Sequence, residues 1–262
     1  MRSKLSLVFA FTSVLALAAT GCGSGDTPTE PGAPAPEHVG STSEALTSPF
    51  VWSGQTWTIK SGNGLGPGPN NWAAGNVSID GSGSLNLAIN KSLGKWYCAE
   101  VYLASGLGYG TYEFFVKTNT TTLDKSNVMA GFLYQDDNNE YDVEWSRWGN
   151  ASNPYNGDFA DQGSPFPGPP FAQLQWHQVI GNGNWQKWRI IALPTSVEYQ
   201  VETNSQLVQD WFAPAGANIF NPANAPVHIN NWLFRGTAPA AGSTLTLVSF
   251  TFTAYVTDAG TD

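Results

Sequence analysis

Asn139-Glu140-Tyr141-Asp142-Val143-Glu144-Trp145 alternates polar and apolar residues along its length. A period of two is the mark of a β-strand, whose successive side chains leave the backbone on opposite faces. Glu140, Asp142 and Glu144 therefore share one face, and Tyr141, Val143 and Trp145 the other. The apolar set belongs in a core, which leaves the three carboxylates facing solvent or a cleft. Like charges side by side on a strand face repel one another. A strand with only a structural task has little reason to carry them.

The spacing suits a reaction shared between two of the three. At about 3.3 Å per residue, the Cα atoms of Glu140 and Glu144 lie about 13 Å apart. A retaining glycosidase holds its two carboxyl groups about 5–5.5 Å apart. Two Glu side chains leaning together over Asp142, each reaching about 4 Å, close that difference, whereas two Asp would fall short. Coupling between the like charges holds at least one proton to a higher pH than an isolated Glu would. One ionised carboxylate and one protonated acid on a single face is the equipment for glycosyl transfer through a covalent intermediate. Taken alone, Glu-x-Asp-x-Glu is more often an exposed acidic strand, so the flanking sequence has to decide.

Residues 1–22 read as an export signal. Arg2 and Lys4 precede an apolar run, Leu5 to Ala19, that is too short for an ordinary membrane span. Ala19-Thr20-Gly21-Cys22 resembles a bacterial lipoprotein cleavage box, with Cys22 as the lipidated residue; cleavage after Ala16-Leu17-Ala18 is the competing reading. Residues 23–47, rich in Gly, Pro, Ser and Thr, cannot bury a core and read as a disordered linker. The expectation is an exported protein, tethered to the bacterial cell surface or outer membrane through Cys22, or otherwise secreted or periplasmic. A single domain then spans 48–257, with a tail at 258–262.

The domain is long enough for a sizeable core. The chain has 11 Trp, 9 Tyr and 14 Phe against 11 Lys plus Arg, and a net charge of -9. That balance argues against nucleic acid or an anionic membrane face as partner, and disfavours a strongly acidic polysaccharide. It suits neutral sugars, which stack on aromatic rings. With Cys22 lipidated, Cys98 has no disulfide partner. A monomer is expected, in contact with a membrane only through the lipid.

Alternation predicts strands at 56–59, 77–79, 85–89, 99–103, 111–118, 128–134, 140–145, 187–193, 197–203, 227–234 and 245–255. No stretch of the mature region keeps a capped helical period. Many short strands joined by Gly, Pro and Asn turns predict an all-β fold, a jelly-roll sandwich of two antiparallel sheets. The segment from Ser146 to Gln175, with its Pro165–Pro170 run, reads as one long functional loop.

Several blocks in order resemble family-16 glycoside hydrolases, the concanavalin-like jelly rolls that include bacterial lichenases. These are Cys98-Ala99-Glu100, Gly108-Tyr109-Gly110-Thr111-Tyr112-Glu113, Glu140-Tyr141-Asp142-Val143-Glu144, Pro194-Thr195-Ser196-Val197 and Asn230-Asn231-Trp232. The resemblance implies Glu140 as nucleophile, Glu144 as acid/base and Asp142 as the residue that tunes the nucleophile. It further implies that Glu100, Asn230 and Trp232 bind sugar. The active strand has the regular rather than the bulged form, which points to a neutral β-glucan, mixed-linkage glucan foremost. The sequence departs from the family at Tyr141, at Val101-Tyr102, at Ala192 and at Glu202-Thr203, the last in place of the usual Asp-Gly turn.

Trp148 shares the parity of Glu144 and would enter the cleft as a sugar platform if the strand continued; packing under the following loop is the equal alternative. Glu113 reads as a structural partner for a cation, and His177 and His228 as satisfied structural histidines without zinc or triad spacing. Asp136-Asp137 could join a structural calcium site, though a polar turn explains them as well. No other metal or cofactor is called for. The function expected is a retaining endo-β-glucanase. The alternatives are a cell-wall glycan transglycosylase on the same site and a non-catalytic glycan-binding lipoprotein.

Overall fold

The structure is a computed structural model and describes residues 46–163, 171–179 and 184–256. The export signal, Cys22, the linker before Leu46, the Pro165–Pro170 run and the tail at 258–262 lie outside the described residues.

Two antiparallel sheets make up the domain. The front sheet runs in the order β1 (Phe50–Trp52), β2 (Gln55–Ile59), β8 (Ala99–Leu103), β17 (Val227–Leu233), β10 (Asn127–Asp136), β11 (Asn139–Ser146), β12 (Gly157–Gln162), β13 (Phe171–Trp176). The back sheet runs β16 (Gln206–Phe212), β15 (Ser196–Thr203), β14 (Gln186–Leu193), β9 (Gly110–Val116), β18 (Ser243–Ala254), β6 (Leu85–Ser92), β5 (Val77–Ile79), with β7 (Lys95–Tyr97) on β6. A hairpin, β3 (Gly62–Leu65) and β4 (Asn70–Trp72), stands apart from both. This is the jelly-roll sandwich expected from the alternation.

Between the sheets lies one apolar cluster. The inner faces of β8, β17, β10 and β11 send in Val101, Ile229, Met129, Val143 and Trp145; β14, β15, β9 and β18 answer with Trp188, Tyr199, Phe114 and Phe250. Tyr141 is fully buried and stacks on Phe220 at 4.1 Å. Its hydroxyl donates to the Asn218 carbonyl at 3.1 Å and accepts the Phe220 N–H at 3.0 Å. Asn231, buried, donates from Nδ2 to the Leu87 carbonyl at 3.0 Å and so ties β17 to β6 across the sandwich.

The reading of Ser146–Gln175 as one loop is corrected: β12 and β13 lie within it and extend the front sheet beyond β11. Their alternation was masked because β12 carries carboxylates on both faces, with Asp158 outward and Asp161 inward. Gly157 opens β12 because its inner face meets the Trp176 indole: a Cβ there would lie 2.2 Å from the ring. Glu202 and Thr203 lie in strand β15, as the alternation predicts, and the turn follows them. Asn204 and Ser205, both at positive φ, form it, while Glu202 ion-pairs with Arg189 at 2.6 Å. Glu113 meets the expectation of a cation partner, with Arg189 at 2.7 Å and Lys187 at 3.1 Å.

Asp161 is fully buried, and neither carboxylate oxygen has a hydrogen-bond partner among the described residues. Burial pushes it up to about 8. A carboxyl whose folded pKa is raised contributes stability below its unfolded value near 4, and that stability is lost as pH rises through the folded value. Asp161→Asn is therefore expected to match the parent near pH 4 and to exceed it at pH 8 by about 2–5 kcal/mol. Urea denaturation at the two pH values reads this directly; an equal difference at both would show that the acid is not buried in this way.

Candidate active site

Antiparallel register sets the outer face of the front sheet in rungs. One rung runs Glu100, Asn230, Ala130, Glu144, Asp158, Gln175 from β8 to β13. The next runs Tyr102, His228, Phe132, Asp142, Ala160, Gln173. Glu140 lies opposite Tyr134 on one side and Gln162 on the other. Residues from five strands thus meet over the acidic strand because sheet pairing, not sequence proximity, aligns them.

Above this face is a cavity of about 310 Å³. Glu140, Asp142 and Glu144 line it together with Glu100, Asn230, Trp232, Phe132, Tyr134, His228 and Lys60. Gly66 and Pro67, from the loop between β3 and β4, close one side. Asp142 is buried between its two neighbours, while Glu140 and Glu144 keep part of their surface.

The electrostatics follow from packing like charges in one trough. Burial pushes Glu140 up to about 7; a hydrogen bond with Asp142 opposes this, and the charges of Asp137 and Glu100 add to it. Asp142 is driven well above the carboxylate range by burial and then by the charges of Glu140 and Glu144. Glu144 is driven the same way by burial, then Asp158, then Glu140. Near neutral pH the three cannot all be ionised. Asp142 lies between Glu140 and Glu144, and burial pushes all three toward the protonated form.

Of the residues singled out in the sequence, Glu100, Asn230 and Trp232 reach the cavity. Trp148 does not line it. Strand β11 stops at Ser146, and Trp148 turns off at φ 52° to pack edge-on against Trp232 and Phe234. Its indole N–H donates to Asp158 Oδ2 at 3.2 Å. Trp96 and Tyr97 stay out of the cavity lining as well. Asp136 caps the turn between β10 and β11, accepting the Asn138 N–H at 2.9 Å, and among the described residues no group of three or more His, Cys, Asp and Glu is set to hold a metal ion.

Of the two histidines expected to be satisfied structural residues, His228 is paired as expected but stands in the cavity wall, and His177 is exposed. The His228 ring stacks on Tyr102 at 5.2 Å and its Nδ1 lies 3.0 Å from Glu100 Oε1. Lys60 reaches the other Glu100 oxygen at 3.0 Å, with its ammonium 4.5 Å from the Trp72 ring centroid. Neither Lys60 nor Asp158 was singled out in the sequence. The signal for Asp158 was its alternation with the apolar Phe159 once a strand is admitted there; Lys60 gave none.

Glu100 is 2% exposed and is held from both sides. Removing one partner strands a buried carboxylate, so Lys60→Met is expected to cost about 1–3 kcal/mol of unfolding free energy. Chemical denaturation of the two proteins measures it, and a loss near zero would mean that the pair is solvent-screened.

No family model matches the chain, and no curated protein matches it in sequence. The likeness is structural. Bacillus licheniformis β-glucanase superimposes with a TM-score of 0.59 at 18% identity, over 84% of this chain and 100% of its own. A prokaryotic β-1,3-1,4-glucanase (lichenase) from a mouse hindgut metagenome gives 0.57 at 17%, over 77% and 94%. A Bacteroides ovatus mixed linkage glucan family-16 protein, in complex with a product, gives 0.56 at 13%, over 79% and 97%. The chain has the fold of the family-16 β-glucanases.

Proposed function

We propose that this protein is a family-16 retaining endo-glycoside hydrolase that cleaves a neutral β-glucan, mixed-linkage β-1,3-1,4-glucan foremost, by double displacement. The observation that carries the reading is the triad of carboxylates on one strand face under an open cavity, each pushed toward its protonated form by burial. Glu140, ionised, attacks the anomeric carbon. Glu144 gives its proton to the leaving oxygen as the glycosidic bond breaks, and a glycosyl ester on Glu140 results. Glu144, now a base, takes a proton from the incoming water, whose oxygen displaces Glu140. Asp142 stays protonated and donates to Glu140, which steadies the nucleophile's charge before attack and after release.

Glu100, Asn230 and Trp232 bind sugar hydroxyls and a ring face beside the nucleophile. The structural likeness to lichenases supports the choice of substrate, as does a cavity whose only cation on the Glu100 side, Lys60, is already tied to a carboxylate among the described residues. Export and attachment through a lipid on Cys22 place the enzyme where such polysaccharides are met. It acts as a monomer and needs no cofactor.

Two measurements test this. Glu140→Gln is expected to lose turnover by about a thousandfold or more while still retaining on a polysaccharide affinity gel. A panel of mixed-linkage glucan, laminarin, xyloglucan and agarose, with labelled acceptor sugars, fixes linkage and separates hydrolysis from transfer. Equal sugar release by parent and variant would remove Glu140 from its role. No release from any member would leave a glycan-binding domain. The pH profile has a definite sign: Glu140 must be ionised, so kcat/KM rises as pH climbs through about 7, and it falls again where Glu144 loses its proton. A rising limb near 4.5 instead would mean that Glu140 is not held in a desolvated trough.

A further inference from the structure

Asp158 is the fourth carboxylate on this face, and neither the expected triad nor the proposed mechanism uses it. It stands directly opposite Glu144 in the β11–β12 register and is 1% exposed. Its Oδ2 accepts three N–H donors: Trp148 Nε1 at 3.2 Å, Gln175 Nε2 at 3.1 Å and Gln173 Nε2. Its Oδ1 is buried and has no partner among the described residues. Three donors converging on one oxygen favour the carboxylate form, and a carboxyl O–H on the other oxygen would have no acceptor among the described residues. The second oxygen is left as a bare acceptor, on a residue whose cross-strand neighbour is Glu144.

The other groups around Glu144 leave Asp158 as the charge on its far side. On its own strand are Asp142 and Glu140. Strand β10 brings Ala130, Phe132 and Tyr134 to the same face, and β17 brings Asn230, Trp232 and His228. Glu100 of β8 is tied to Lys60 and His228, and Asp137 sits in the turn beyond Glu140. No cation among the described residues is paired with Glu144 or Asp158.

We propose that Asp158 is a positioning residue for the reaction: a fixed anion, held by Trp148, Gln173 and Gln175, that keeps the proton on Glu144 until the leaving group takes it. This rests on the role given to Glu144 above and deepens it. Burial pushes Asp158 up to about 7, with the three donors opposing, and the charge of Asp158 is, after burial, the next cause that drives Glu144 above the carboxylate range. The chain thus spends a buried charge on the acid/base rather than leaving a neutral amide there. Trp148 has its use in this arrangement as the indole donor that fixes Asp158, not as a platform for sugar.

The test is Asp158→Asn, which keeps the shape and removes the charge, with Gln175→Met as a milder variant that removes one donor and keeps the acid. Two readouts are taken on each: the pH profile of kcat/KM, and titration of the Glu144 carboxyl by carbon NMR of Glu-labelled protein, assigned by its loss in Glu144→Gln. In Asp158→Asn both the descending limb and the Glu144 titration are expected to move down by about one pH unit or more, with the rising limb in place. Gln175→Met should move them the same way by less. An unchanged Glu144 titration in folded Asp158→Asn overturns the proposal, even where activity falls. If the parent releases no sugar from any glucan, the glycosidase reading fails on its own, and the NMR titration still decides whether Asp158 holds that proton.

Discussion

The active face depends on a trade made within one strand. Packing Glu140, Asp142 and Glu144 on the outer face of β11 is repulsive, and burying them makes it worse. The same strand turns Tyr141, Val143 and Trp145 inward, each fully buried. Burial of side chains of that size is worth about 1.5–3 kcal/mol apiece, which offsets the cost of crowding the acids. The repulsion relaxes by keeping protons rather than by moving the backbone. A trough that holds protons at neutral pH is also a trough able to give one away. Stability and chemistry here come from the two faces of one short segment.

How far the sequence revealed this depended on whether the information was local. Alternation is local, so β11 and ten other strands could be placed, all but the end of β6 within a residue or two, and the sandwich with them. Register is not local. Lys60, His228 and Asp158 are far apart in sequence and converge only because β8, β17, β10, β11 and β12 pair in that order. His228 sits two residues before Asn230 on a strand already expected to line the site, so its parity alone could have brought it in. β12 was hidden for a different reason. Its Asp161 points into the core, where a rule that equates charge with the outer face misleads, and Gly157 gives no apolar signal at all.

The two sides of the cavity are built on different principles. On the Glu100 side charges are matched: Lys60 and the His228 ring both meet one buried carboxylate, with aromatic rings stacked around them. On the Asp158 side the partners of the anion are neutral amides and an indole. Neutral donors stabilise an anion locally without cancelling its field as an ammonium would. The first side is suited to holding a shape and the second to exerting a potential on its neighbour. Trp148, Trp232 and Phe234 form an aromatic cluster at the edge between them.

Cys98 lies buried on β8's approach, its sulfur 3.5 Å from Asn70 Oδ1, and burial pushes the thiol up to about 12. Thiol–disulfide exchange and oxidation proceed through the thiolate. With almost none of that form and no path to solvent, this sulfur is inert toward oxidants and toward its counterpart in another copy. The packing around Cys98 therefore guards this thiol against cross-linking without any help from a disulfide partner.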